Sequence, residues 1–322
     1  MEKRKFSVGI WAFTSCTDRF VTTGYRNTFS LEEQIELVGK VKGLDGVILQ
    51  FPTVVNEENV EKVKKLLLEN NLKVSAVDAN IFGAEFAQGS FTNGIDSVRN
   101  KAIRIAKGTV KMAEELGTNY MGLWLGQDGF DYPFQADHSL LWDREIEAIT
   151  EVAQCDPNVK VCIEYKLKEP RTHITIGTVG KALLVCEKID LDNIGVTLDF
   201  GHSLMCKENP AESAALLAKY NRLFSIHFND CYGDTDDDLM AGCVHPVETL
   251  ELLFTLQQIN YDGWYGLDIF PYREDPVKAT EYSIETINYL ATLLEKINVG
   301  DILREQKKLD IIKIYELMRN IR

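Results

Sequence analysis

Seven cysteines occur in the 322 residues (Cys16, Cys155, Cys162, Cys186, Cys206, Cys231 and Cys243), and no two of them form a C-x-x-C pair. Their spacing is not that of a secreted scaffold, so a disulfide framework is excluded and the thiols read as reduced and mostly buried. No run of 18 apolar residues occurs, and the basic start MEKRK leads into only a short apolar run with no cleavage-type segment. Neither a membrane-spanning helix nor a leader is expected. Clustered Lys and Arg are also missing: 35 basic residues face 49 acidic ones, a formal charge of −14. That balance speaks against a nucleic-acid surface. Low-complexity tracts, Pro/Gly-rich linkers and repeats longer than one strand–helix unit are absent as well. The expectation is a soluble cytoplasmic protein.

What is present is ordinary globular material, 45% apolar and 26% charged, enough for one large core. Short β-rich runs alternate with helix-period segments along the chain: KFSVGIWAF, GVILQF, KVSAVDAN, NYMGLWLG, KVCIEYK, IGVTLDFGH, LFSIHFND and WYGLDIFP. Between them, Ser30 and Glu33 make a capping-box pattern, and Leu31, Ile35 and Val38 share one helical face. A further helix over 96–116 should stop at Gly117, which lacks the Cβ that penalises a left-handed cap. Eight strand–helix units predict an α/β fold, a closed (β/α)₈ barrel over residues 1–299, although an open doubly wound sheet uses the same alternation. Residues 300–322 add an amphipathic helix carrying Ile302, Leu309, Ile312 and Leu317. It either packs back on its own barrel or reaches a neighbouring subunit of a homo-oligomer, a dimer or tetramer.

In a barrel strand alternate residues point inward, and the C-terminal strand ends meet the loops that build the site. With Val161, Ile163 and Tyr165 outward, Cys162, Glu164 and Lys166 point in. The same phase puts Val196, Leu198 and Phe200 outward and Asp199 inward, with His202 just past the strand. It also sends His227 inward between Ile226 and Phe228, and Asp268 inward between Leu267 and Ile269. Four consecutive strands thus deliver Glu164, Asp199, His227 and Asp268 to one place. Crowded carboxylates repel and are costly to desolvate unless protons or cations compensate them. Three oxygens and one imidazole suit Mn²⁺, Mg²⁺ or Co²⁺ better than a thiolate-loving metal, with Zn²⁺ as a further option. His202 and the acidic loop GDTDDDL at 233–239 make a second cluster beside the first, so two divalent cations are expected. Taken singly, each of these residues could be a cap, a turn former or a solvated charge; four in one phase argue for a metal site.

These motifs resemble the xylose isomerase-like superfamily of TIM barrels, and within it the xylose and L-rhamnose isomerases. Glu164-x-Lys166 is similar to the isomerases' Glu-x-Lys, and Asp199-Phe-Gly-His202 to the D-x-x-H of the rhamnose isomerases. LDIFPYRED at 267–275 resembles a xylose-isomerase segment whose aspartate, here Asp268, ligates metal. HFND with the aspartate run resembles a loop whose D-x-D holds the second metal, which implies Asp236 and Asp238, with Asp234 or Asp237 as alternatives in register. Trp124 in LWLGQDG resembles a tryptophan that walls the sugar site. One departure stands out: those isomerases carry a ring-opening histidine at the second strand, where this sequence offers Gln50. None of its five histidines (His138, His173, His202, His227 and His245) lies in the first three strands.

The resemblance implies a metal-dependent aldose–ketose isomerase acting on a monosaccharide by hydride shift. Glu164, Asp199, His227 and Asp268 would hold the first cation, which grips two substrate hydroxyls. His202, Asp236 and Asp238, with Asp199 bridging, would hold the second, which activates a water. Lys166 would polarise the carbonyl, and Trp11, Phe51 and Trp124 would wall the sugar or simply pack the barrel mouth. A sugar 3-epimerase of the tagatose-epimerase kind is the principal alternative, usually with two flanking glutamates where this chain has Glu164 and Asp268. A hydrolase resembling the AP endonucleases would want more zinc-binding histidines and a basic groove. A non-catalytic sugar-binding protein would not need two metals.

Overall fold

The computed structural model describes residues 4–319. The first three residues of MEKRK and the last three of the 300–322 extension lie outside the described residues. Eight parallel strands close into a barrel: β1 (Lys5–Gly9), β2 (Gly46–Phe51), β3 (Lys73–Ala79), β4 (Tyr120–Trp124), β5 (Lys160–Glu164), β6 (Ile194–Asp199), β7 (Leu223–Phe228) and β8 (Trp264–Leu267). They stand in chain order, and β8 pairs back onto β1 with Val8 opposite Leu267. The closed barrel, not the open sheet, is the fold.

Helices follow the strands: α1 (Leu31–Gly39), α2 (Val60–Glu69), α3 (Asp96–Glu115), α4 (His138–Ala153), α5 (Val179–Ile189), α6 (Phe200–Met205), α7 (Pro210–Lys219), α8 (Pro246–Gln258) and α9 (Pro276–Glu295). Both halves of the Ser30/Glu33 capping box form at α1, satisfying N–H groups that would otherwise be orphaned. α3 ends before Gly117, whose φ of +74° lets the chain turn sharply into β4. The outward residues Val161, Ile163, Val196, Leu198, Ile226, Phe228 and Leu267 are all buried in one continuous core. Each such side chain stabilises the fold by roughly 1.5–3 kcal/mol relative to an exposed one.

Three features differ from the sequence reading. The first strand stops at Gly9, and Ile10–Phe13 form a short 3₁₀ turn. The Thr14 hydroxyl and amide both donate to the Trp11 carbonyl and end that turn. The extension is two helices, α10 (Val299–Gln306) and α11 (Ile311–Arg319), rather than one. Leu309 takes a left-handed φ of +56° and Asp310 accepts the Lys313 amide, so the chain breaks and restarts there. α10 packs back through the buried Ile302, whereas no residue of α11 is buried and Leu309, Ile311 and Ile312 are exposed. Finally, Gly129–Phe130, Lys168–Glu169 and Thr172–Ile174 make a small antiparallel sheet that joins the loops after β4 and β5.

Candidate metal centre

The register of the second half of the barrel sets the site. His227 lies opposite Asp199 and Trp124 opposite Glu164 in the ladder, while Asp268 follows directly on β8. Ligand atoms of Glu164, Asp199, His227 and Asp268 all lie within 4.8 Å of one another, and a second group of Asp199, His202 and Asp236 meets the same limit. Asp199 belongs to both. His202 reaches the site because Asp199 caps α6, accepting the His202 amide at 2.8 Å. A single residue thus ends the strand, starts the helix and joins the clusters.

Glu164 sits between the two imidazoles: its Oε1 is 3.5 Å from His202 Nδ1 and its Oε2 is 3.4 Å from His227 Nδ1. Asp268 Oδ2 approaches the same His227 Nδ1 at 3.6 Å. His202 Nε2 pairs with Asp236 Oδ2 at 3.0 Å. Three buried polar atoms in this small volume have no hydrogen-bond partner: His202 Nδ1, His227 Nδ1 and Asp236 Oδ1. Buried polar groups are normally satisfied, so three orphans converging among carboxylates fit a divalent cation's donor set.

The electrostatics agree. Burial lowers the proton affinity of His202, yet Asp199 and Asp236 outweigh it and lift its pKa to about 9. Burial acts the same way on His227, and Glu164 and Asp268 raise it well above the usual range. Burial also pushes Asp199 up to about 7 against the opposing pull of His202. Glu164 is pushed up by burial too, but the two histidines and Lys166 bring it below its ordinary value. In the protein alone, protonated imidazoles supply the positive charge that this many carboxylates require.

The remaining predicted residues are placed as follows. Lys166 is buried and salt-bridged to Asp236 at 2.7 Å and to Glu169. Burial disfavours its charge, but Asp236 and Glu169 prevail and hold the ammonium firmly protonated. Trp124 lies 5.3 Å from the Lys166 ammonium and edge-on to Phe82. Trp11 reaches the site, not only as a wall: its indole N–H donates to Asp268 Oδ1 at 2.6 Å. Phe51 does not reach it. Its ring packs towards α3, where a Cβ on Gly108 would lie 2.6 Å from Cε1, because Phe51 shares the outward phase of Val47 and Leu49.

In the acidic loop Asp236 is the aspartate grouped with Asp199 and His202. Asp234 is exposed, and Asp237 is spent on the turn, accepting from the Tyr232 amide and the Thr235 hydroxyl. Asp238 lies outside the second group; its carbonyl accepts the Phe270 amide, tying the loop to the segment after β8. Its carboxyl is raised by burial and by Asp236 and Asp268 nearby.

Three residues at the site escaped the sequence reading. Asn229 is buried and donates to Asp199 Oδ2 at 2.9 Å. Glu169 anchors Lys166 from the small sheet. Asp78, opposite Gln50 and Gly122 in the ladder, is pushed up to about 7 by burial, with His227, Glu164 and Asp268 as charged neighbours. Its signal was available, since Asp78 alternates with Val77 and Ala79 in the same way as Asp199 with Leu198.

Residues 35–292 match the xylose isomerase-like TIM barrel family, and the chain belongs to it. Over 219 residues it is 29% identical to a xylose isomerase of Thermus thermophilus, an alignment spanning 66% of this chain and 57% of that enzyme. The chain therefore matches little more than half the length of this relative. Among solved structures it resembles a D-tagatose 3-epimerase-like protein, with a TM-score of 0.70 at 18% identity over 90% of this chain and 99% of that one. An L-ribulose 3-epimerase gives a TM-score of 0.70 at 14% identity, covering 90% and 95%. At such identities the structural likeness speaks for the fold. Among the described residues no helix is long and apolar enough to cross a membrane.

Proposed function

We propose that this protein is a metal-dependent aldose–ketose isomerase acting on a monosaccharide. The observation that carries the reading is the second cluster, Asp199, His202 and Asp236, lying against a buried and firmly protonated Lys166. Glu164, Asp199, His227 and Asp268 would hold one divalent cation, and His202 and Asp236, with Asp199 shared and Asp238 drawn in, a second. Mn²⁺ comes first, with Mg²⁺, Co²⁺ and Zn²⁺ as alternatives, because an oxygen-rich set with a single imidazole suits it. When bound, these cations would supply positive charge at the two substrate oxygens O1 and O2 while hydrogen moves between the carbons C1 and C2.

The chain's own part is orientation and exclusion of water. Lys166, held by Asp236 and Glu169, presents an ammonium proton to the substrate carbonyl oxygen. Trp124, backed by Phe82, closes one side, and water excluded there strengthens every charge–dipole contact. A second reading, 3-epimerisation, is favoured by one observation: Glu164 and Asp268 both approach His227 Nδ1, at 3.4 and 3.6 Å, a pair of carboxylates at one place that could act on a carbon between them. Incubating a panel of ketoses with the Mn²⁺-loaded protein decides between them. Aldose should appear; C3-epimeric ketose alone would replace the isomerase reading with the epimerase one.

We also place the protein in the cytoplasm, on its seven free cysteines, and assign it a homo-oligomer in which α11 reaches a neighbouring subunit. Deleting residues 300–322 should then reduce the assembly seen on sedimentation while leaving the barrel's circular dichroism intact. An unchanged assembly would confine α11 to its own barrel.

A further inference from the structure

Two of the cluster aspartates, Asp268 and Asp199, each accept a side-chain donor on one particular oxygen. Trp11 Nε1–H bonds Asp268 Oδ1 at 2.6 Å, leaving Oδ2 to face His227. Asn229 Nδ2–H bonds Asp199 Oδ2 at 2.9 Å, while Oδ1 accepts the His202 amide at 2.8 Å and lies 3.8 Å from the His202 ring. Neither donor is free to follow a turning carboxylate. The Trp11 indole lies flat on Gly9, where a Cβ would be only 2.1 Å from Cε2. Asn229 is locked at its other end, where its carbonyl oxygen accepts the Gly201 amide at 2.8 Å. Swinging either carboxylate to present both oxygens to one cation would break a buried hydrogen bond and orphan the donor.

We propose that Trp11 and Asn229 are positioning residues that set which cation the centre accepts, by confining Asp268 and Asp199 to one-oxygen coordination. Ca²⁺ takes six to eight oxygens and gains from carboxylates that bind through both, whereas Mg²⁺, Mn²⁺ and Co²⁺ favour octahedral sets with single-oxygen ligands. The clamp therefore rejects Ca²⁺ beyond the discrimination that His227 provides. This inference rests on the reading of the clusters as cation sites.

The test uses Mn²⁺ and Ca²⁺ on the full chain after exhaustive chelation. Bound Mn²⁺ is read by loss of its free electron paramagnetic resonance signal, and Ca²⁺ affinity by competition. In Trp11→Phe, which keeps a ring but lacks the N–H, the Ca²⁺-to-Mn²⁺ affinity ratio should rise by about tenfold, the scale of one buried hydrogen bond. Mn²⁺ affinity should change far less. An unchanged ratio with Mn²⁺ binding retained overturns the proposal and leaves the cation site standing. No Mn²⁺ binding by the unaltered chain overturns both. Should Trp11→Phe lose its far-ultraviolet circular dichroism, Asn229→Ser, judged by the same ratio, decides.

Discussion

Replacing Asp199 by Asn should lower kcat/KM by about a thousandfold, the scale seen when a key electrostatic group is removed from a water-excluded site. The carboxylate is buried, is common to both clusters and accepts from the His202 amide on one oxygen and from Asn229 on the other. An asparagine can accept at only one of those places and must present its NH₂ to a second donor. It also withdraws one negative charge from both clusters at once. The same loss should follow chelation of the unaltered protein, with recovery on adding Mn²⁺ or Co²⁺. Steady-state kinetics with circular dichroism as the folding control settles the matter: a folded Asp199→Asn protein within tenfold of the parent would remove Asp199 from the centre.

The second large effect concerns where a substrate hydrogen goes. With an aldose deuterated at C2, the label should be retained at C1 of the ketose, with little exchange into solvent. Exchange needs a carboxylate free to take carbon-bound hydrogen, and Glu164, Asp199 and Asp268 are engaged among the histidines at 3.4–3.8 Å. Lys166 cannot serve, since Asp236 and Glu169 keep it protonated. Nuclear magnetic resonance of the ketose reads the outcome directly. Extensive washout would point to a base outside the clusters, and Asp78 would be the first residue to replace.

The barrel and most of the centre were legible because both depend on a period of two. Once Val196 and Leu198 are assigned to the core, Asp199 has only one direction left, and the same holds for Glu164, His227 and Asp268. Phe51 follows the same rule in the opposite direction: its phase with Val47 and Leu49 sends it to the helices, beside Gly108. The remainder depends on contacts between residues distant in sequence. The bond from Trp11 to Asp268 spans 257 positions, and nothing in GIWAF announces a donor to the eighth strand. Which aspartate of GDTDDDL faces inward is fixed by Asp237 closing the turn on Tyr232 and by the Phe270 amide on Asp238, neither of which leaves a periodic trace. The break at Leu309 was hidden because a left-handed leucine carries no sequence signature comparable to glycine's.

All the carboxylates and imidazoles of the two clusters come from β5–β8 and the segments that follow them, whereas β1–β4 and their loops contribute Trp11, Asp78 and Trp124. Chemistry and much of the lining are thus inherited through different halves of one chain. Changes in the first half can reshape the chamber without replacing a cluster carboxylate or imidazole, although Trp11 bears on Asp268. Under the proposed function, a lineage exploring new substrates would have about half a barrel in which to vary before it touches the two clusters.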